Sequence, residues 1–390
     1  MKSSGFQISL IAFFIFFIIA GVIVFATYGG VLSDPPSDLT VWGTLPALTM
    51  IEFFSSHPAF DAAKVSIRYE EKSAADIERQ FVNALAEGWG PDLILLPDDM
   101  LLGNLSKLTL IPYDAYSERD FKDTFVGAAD ALLTGSGIIG FPVTIDPLVM
   151  YWNRSLYAAS GVAKPIAEWE EVSTVVPKLR RANDAGTLLV GALPFGTTAN
   201  NRNAVPVLSA LLLQAGAPVV ERRVQPDGEV FIANVTGVRD VASSGESTLR
   251  FFTQFSDPQK DIYAWNGSFP EARLAFLGGI LATYFGFASE LADIRAGNPN
   301  LNFDVARVPQ INANTPVTYG RLLVAAVPRG ARDLDGVYRA IGALTSAEAS
   351  GFLAAELNFP PVRRDLLGEE PTEAFRSVFY RSALIAQTYL

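Results

Sequence analysis

GIIGFPVTIDPLVMYWN, residues 137–153, reads as two extended segments with a crossing point between them. Upstream of it the chain alternates between two periodicities. LTVW (39–42) is a short β-rich run, followed by a Gly-Thr turn and a helix-like stretch through Phe54. VSIRYEE (65–71) reads as a second strand. SAADIERQFVNALAEG (73–88) opens on a Ser cap and repeats apolar residues at Ile77, Phe81 and Leu85, which predicts an amphipathic helix ending at Gly88. PDLILLP (91–97) is a continuous apolar run bounded by prolines, the mark of a strand buried on both faces. Strand, helix, strand, helix, strand implies a mostly parallel α/β sheet.

Downstream of the crossing the pattern is more helical. PIAEWEEVSTVVPKLRRA (165–182) and AVPVLSALLLQAGA (204–217) read as helices, the second strongly apolar. SGESTLRFFTQFSD (244–257) is another, opened by a Ser cap. EARLAFLGGILATYFG (271–286) passes from helix into strand, RLLVAAVP (321–328) is a buried strand, and the tail from Leu334 is largely helical.

The amino terminus has a different character. From Ile8 to Tyr28 no residue is charged, and 21 residues at ~1.5 Å each span ~31 Å, close to a ~30 Å hydrocarbon core. The run is apolar on every face, which argues against a buried soluble helix. Residues 1–28 therefore read as a signal anchor and transmembrane helix, although Val24 and Ala26 also fit a cleavage site. Lys2 precedes the run and no Lys or Arg follows it until Lys64, so the positive-inside rule leaves the remainder of the chain outside the cytoplasm. Residues 29–37, rich in Gly, Pro, Ser and Asp, read as a linker.

Composition excludes several functions. Thirty basic residues stand against 41 acidic ones, a net charge of −11, which repels nucleic acid and anionic lipid. The chain has no cysteine, hence no disulfide, thiolate metal site or lipid-modified Cys. Its one histidine, His57, rules out a His-rich metal site and reads as a loop or helix-end residue. Neither GxSxG nor GxxxxGK[ST] occurs. Adjacent acids such as Asp98/Asp99 and Glu170/Glu171 do not make the spaced pair of a glycosidase. No catalytic residue, metal site or cofactor is expected.

Several motifs then fall into one order: GWGPDLILLPDD, GIIGFPVTIDPLVMYWNRSLYAASGV, EWEEV, FLGGILA, RVPQINANTPVTYGRLLVAAVP and ELNFPPVRRDLL. In this order and spacing the chain resembles the family 1 extracellular solute-binding proteins of ABC importers, the broad group of the maltose-binding protein. The resemblance covers roughly residues 38–370. It implies a two-lobed periplasmic-binding-protein fold of the α/β class with a ligand cleft, preceded here by the amino-terminal transmembrane helix. Residues 38–143 plus 288–330 would form lobe one, and 144–287 plus 331–390 lobe two, with crossings near Val143–Asp146, Tyr284–Phe287 and Ala326–Arg329. It also implies a monomer that takes a small solute, in this group often a carbohydrate, and delivers it to membrane permease subunits.

A sugar site needs aromatic faces for C–H surfaces and carboxylates, amides or Arg for hydroxyls. Trp42 ends the first strand and Thr44 follows it, at the carboxyl end where open sheets bind ligands. Asp98 and Asp99 follow PDLILLP directly, and Asp146 sits at the proposed crossing. Trp152 lies in the YWN motif, with Tyr151 buried behind it. Trp265, in the polar–aromatic loop DIYAWNGSF, is the strongest aromatic candidate, whereas Trp89 and Trp169 read as packing residues. By the resemblance, Phe287 stands where relatives place a stacking Trp; the Phe195–Gly196–Thr197 loop, the Tyr319–Gly320–Arg321 segment and the loop at Asn200, Asn201 and Asn203 are weaker candidates. Leu96 replaces an aromatic of the maltose-binding relatives, so no named sugar is implied. Two other readings stay open: a membrane-tethered sensing or surface interaction protein, and a polyamine-binding transport protein.

Overall fold

The computed structural model describes residues 13–15, 17–18, 36–217, 219–225, 228–233 and 242–389. Met1–Ser37 and Asp38–Leu390 form separate compact units. In the first, residues 13–15 and 17–18 are helical and exposed. Most of the span expected at residues 8–28, and most of the linker, lies outside the described residues. Among the described residues no helix is long and apolar enough to cross a membrane.

The second unit begins on β1 (Ser37–Gly43), β2 (Val65–Glu71) and β3 (Leu93–Pro97), with β1 between the other two. β1 and β3 run parallel, Val41 opposite Leu93 and Trp42 opposite Ile94. Leu93 to Leu96 are wholly buried, as a continuous apolar run requires. The helix Ile77–Glu87 that links β2 to β3 ends at Gly88, whose φ of 77° is the left-handed conformation in which glycine alone is unstrained.

The decisive element is β4 (Gly140–Asn153), a single strand of 14 residues rather than two segments. It changes partners along its length. Gly140 to Pro147 pair antiparallel with β9 (Thr318–Pro328), beyond which Leu148 to Asn153 pair with two further strands. Between these lie, in chain order, the hairpin of β5 (Val220–Gln225) and β6 (Gly228–Ala233), then β7 (Thr283–Phe287) and β8 (Phe303–Arg307), the two strands that flank the far half of β4. β10 (Ala386–Gln387) closes the set, parallel to the start of β9. The sheet is therefore mixed rather than mostly parallel, because β9 runs antiparallel to both β3 and β4.

Two lobes follow from this change of partners. One buried cluster joins residues from Leu39 to Ile145 with residues from Leu322 onward. Two others, centred on Trp169, Phe195 and Phe285 and on Tyr151, Trp265 and Tyr284, draw mainly on residues 148–308. The crossings fall at Pro147–Leu148 on β4 and at Thr318–Gly320 on β9. Neither Tyr284–Phe287 nor Ala326–Arg329 is a crossing: β7 pairs with the far half of β4, and Leu322 to Val327 are already core of the first lobe. The helical tail also departs from expectation. Val337, Ile341, Leu353 and Leu367 pack in the first core, whereas Phe379 on the helix Ala374–Leu384 packs in the second lobe as expected, and Ala288, Ile294 and Val305 also belong to that lobe. Each such buried side chain contributes about 1.5–3 kcal/mol, so apolar packing decides which lobe a helix joins.

Candidate functional site

Where β3 ends and β4 changes partners, side chains from both lobes converge. Asp98 caps the exit of β3 and is 2% exposed. Its carboxylate accepts the Thr388 hydroxyl at 2.5 Å and a backbone N–H at Leu322. Burial raises its pKa to about 6 against those bonds, and the neighbouring Asp99 adds to the rise. Asp99 itself is exposed.

Asp146 lies one residue before the crossing and is 5% exposed. It accepts the Ser289 N–H at 3.0 Å, the Ser289 hydroxyl at 2.7 Å and the Arg321 guanidinium at 2.7 Å. Burial pushes its pKa up, and Arg321 opposes that. The pairing follows from register: Arg321 is directly opposite Asp146 on the β9–β4 ladder. The Arg321 guanidinium carbon also stands 3.5 Å from the centre of the Phe287 ring, a cation–π contact. Half of the Arg321 side chain remains open to solvent.

Tyr319 joins the two acidic centres. Its ring meets Phe287 edge-on at 6.3 Å. Its phenol, pushed up to about 12 mainly by burial, lies within the fields of Asp98, Asp99 and Arg321 and is hydrogen-bonded with Thr388. Phe287 is held from behind: Tyr151 donates to its carbonyl at 2.8 Å, and its own N–H donates to Glu290 at 3.0 Å. Asn203 donates to the same Glu290 and to the Phe285 carbonyl.

Next to this cluster lies a cavity of about 280 Å³ lined by Asp130, Ala131, Leu133, Val220, Phe231, Thr388 and Tyr389. It spans the lobes, with Leu133 in the first core and Val220 and Phe231 on the hairpin that follows the helix Ala204–Gln214. Tyr389 reaches across it, its hydroxyl 3.4 Å from the Ala217 carbonyl.

Of the expected residues, Asp98, Asp99, Asp146, Phe287 and Tyr319 thus gather in one region. The tryptophans do not. Trp265 is wholly buried, stacked on Phe269 at 4.5 Å, and donates to Asn200 at 3.1 Å. That makes it a core residue, and Asn200 and Asn201 are spent on similar internal bonds. Trp152 is half-buried against Tyr157, six residues beyond Asp146 on an extended strand, or ~20 Å away. Trp42 is 2% exposed under the Lys72 ammonium, its indole N–H without a partner among the described residues. Thr44 is half-buried beside it. Trp89, read as a packing residue, is instead 54% exposed, set edge-on to Trp42. Trp169 packs as expected and donates to Gln214. His57 caps the helix Pro58–Ala62, accepting the Ala59 N–H at 3.3 Å.

Ser289, Thr388, Tyr389 and Phe231 were not among the candidates, and Arg321 entered only within the weak segment Tyr319–Gly320–Arg321. Arg321 had a signal in its register opposite Asp146, which only pairing reveals. Thr388 lies 290 residues from Asp98, and it and Tyr389 are in a segment with no sequence mark of a site.

A profile described as bacterial extracellular solute-binding protein matches residues 58–374. Binding proteins of Brucella abortus and Brucella suis are 22% identical over 126 residues, 31% of this chain. That match spans 30% of the length of those relatives. Among solved structures, the sugar-binding protein MalE of Xanthomonas citri superposes with a TM-score of 0.70 at 16% identity, covering 90% of this chain and 86% of its own. A cyclo/maltodextrin-binding protein complexed with maltotetraose gives 0.68 at 17% identity over 91% and 87%. A cyclic α-maltosyl-1,6-maltose binding protein from Arthrobacter globiformis gives 0.68 at 16% over 90% and 88%. The shared feature is the fold.

Proposed function

Because this chain belongs to the bacterial extracellular solute-binding protein family, we propose that residues 38–390 bind a sugar or short oligosaccharide between the lobes and deliver it unchanged to an ABC permease. The observation that carries the reading is the convergence of Asp98, Asp146, Phe287, Tyr319 and Arg321, from strands of both lobes, at the crossings. Arg321, half open to solvent, offers donors for sugar hydroxyls there, and the buried carboxylates and the Phe287 ring fix its position. Structures of similar fold that hold maltotetraose or mannotriose support the sugar class. Closure of the lobes about the β4 and β9 crossings is the expected motion. Residues 8–28 serve as the tether in place of a lipidated cysteine, which the chain lacks. A purified mature protein beginning near Thr27 would replace the tether with a freely diffusing protein.

One observation favours a second reading. Asp98 and Asp146 are already paired, but Asp130 leaves an exposed carboxylate at the cavity, and Asp99 is exposed next to Asp98. A polyamine would suit them. A thermal-shift screen of the protein against saccharides and polyamines separates the two: stabilisation grows as RT ln(1 + [L]/Kd), about 2.7 kcal/mol at 100 times Kd. Stabilisation by saccharides is the expected result, and a response to polyamines alone would overturn the sugar reading.

A further inference from the structure

The two buried carboxylates of the crossing have little capacity left for a solute. Asp98 is occupied by Thr388 and the Leu322 N–H, and Asp146 by Ser289 and Arg321. They hold the frame of the cleft. The open volume lies beside them, and its aromatic borders are Phe231, on the β5–β6 hairpin outside the sheet of the crossing strands, and Tyr389, just beyond the short strand β10.

How Tyr389 comes to be there can be followed residue by residue. β10 pairs in parallel with the start of β9, Ala386 opposite Thr318 and Gln387 opposite Tyr319. The Thr318 N–H donates to the Ile385 carbonyl at 3.1 Å. Gly320 leaves the room this needs, since a Cβ there would stand 2.9 Å from that of Ala386. One residue on, Thr388 is fastened to Asp98 in a buried hydrogen bond. Its neighbour Tyr389 is thereby directed along the cavity toward Ala217 of the other lobe. Phe231 and Tyr389 are each only partly buried, so each keeps ring surface for a ligand. Asp130, exposed at the same cavity, supplies a hydroxyl acceptor.

We propose that the segment Ala386–Tyr389 is a wall of the solute site, with Tyr389 and Phe231 the ring-contacting residues and Asp130 a hydroxyl acceptor, and that the cavity takes a neutral saccharide of one or two rings. The size follows from a volume near 280 Å³, just under the ~300–1,000 Å³ of typical ligand sites. Thr388 is a positioning residue that acts through Tyr389. The inference rests on the solute-binding reading above.

The test is isothermal calorimetry of the full chain with a series of mono-, di- and tetrasaccharides, beginning with glucose, maltose and maltotetraose and their mannose counterparts. Affinity should rise from mono- to disaccharide and level off beyond. Tyr389→Ala and Phe231→Ala should each weaken disaccharide binding by about 10-fold, while Tyr389→Phe, which keeps the ring, should stay within about 3-fold. Thr388→Val should weaken binding and Thr388→Ser restore it, a rescue that a merely apolar packing role of Thr388 would not give. Circular dichroism of each variant secures the comparison, and both rings lie outside the buried clusters. Saccharide binding that both alanine variants retain within about twofold would overturn this inference and leave the solute reading standing. Affinity still climbing at the tetrasaccharide would overturn the size limit. A parent protein that binds no saccharide would overturn the reading itself, and the inference with it.

Discussion

At the scale of single residues, burial governs how the charged groups behave. Asp146 is a buried carboxylate whose charge is tolerated because Arg321 and Ser289 satisfy it. Removing one partner of such a pair costs more than removing both. Arg321→Met should lower stability in urea unfolding by about 2–4 kcal/mol, the lower part of the range reflecting its half-exposed side chain; adding Asp146→Asn should return most of that loss. Asp98 behaves differently. Its folded pKa, about 6, lies above the ordinary aspartate value of 3.8. The folded protein therefore keeps that proton when the unfolded chain has lost it. The stabilisation is fully present below about pH 4 and is lost as pH rises through about 6, on the order of 3 kcal/mol across the window. Asp98→Asn should remove this slope from the melting temperature measured between pH 4 and 7, and an unchanged slope would assign it to other groups.

At the scale of elements, the site depends on how strands meet rather than on any one strand. β4 carries Asp146 into the pairing that faces Arg321, and then leaves that pairing within two residues. β10 is only two residues long, and its seat against β9 depends on Gly320 having no side chain. Gly320→Ala should therefore cost ~1 kcal/mol. It should also speed amide hydrogen exchange in residues 386–389 while leaving that of β3 unchanged. Equal exchange in both forms would show that β10 is held by Thr388 and not by close approach to β9.

At the scale of the whole molecule, two cores are joined by the long strands β4 and β9 and bridged at the cleft by Tyr389. Lobes tied by so few elements are expected to close about them when a solute binds. The radius of gyration from small-angle scattering should fall when saturating saccharide is added, and should not fall in Tyr389→Ala if its ring is the contact that draws the lobes together.

The buried run of β3, the amphipathic helix ending at Gly88, the apolar run of residues 8–28, and Asp98, Asp146, Phe287 and Tyr319 as candidates were legible in the sequence. Each has a local signature: periodicity, a Ser cap, an acid at the end of an apolar run, or a motif in family order. Trp265 misled because a polar loop around a tryptophan looks the same whether the ring faces a ligand or stacks inward on Phe269. The lobe to which the tail belongs, the pairing of Asp146 with Arg321, and the arrival of Thr388 at Asp98 had no such signature. They depend on register and on burial between segments as many as 290 residues apart, and contacts of that kind exist only once the chain has packed.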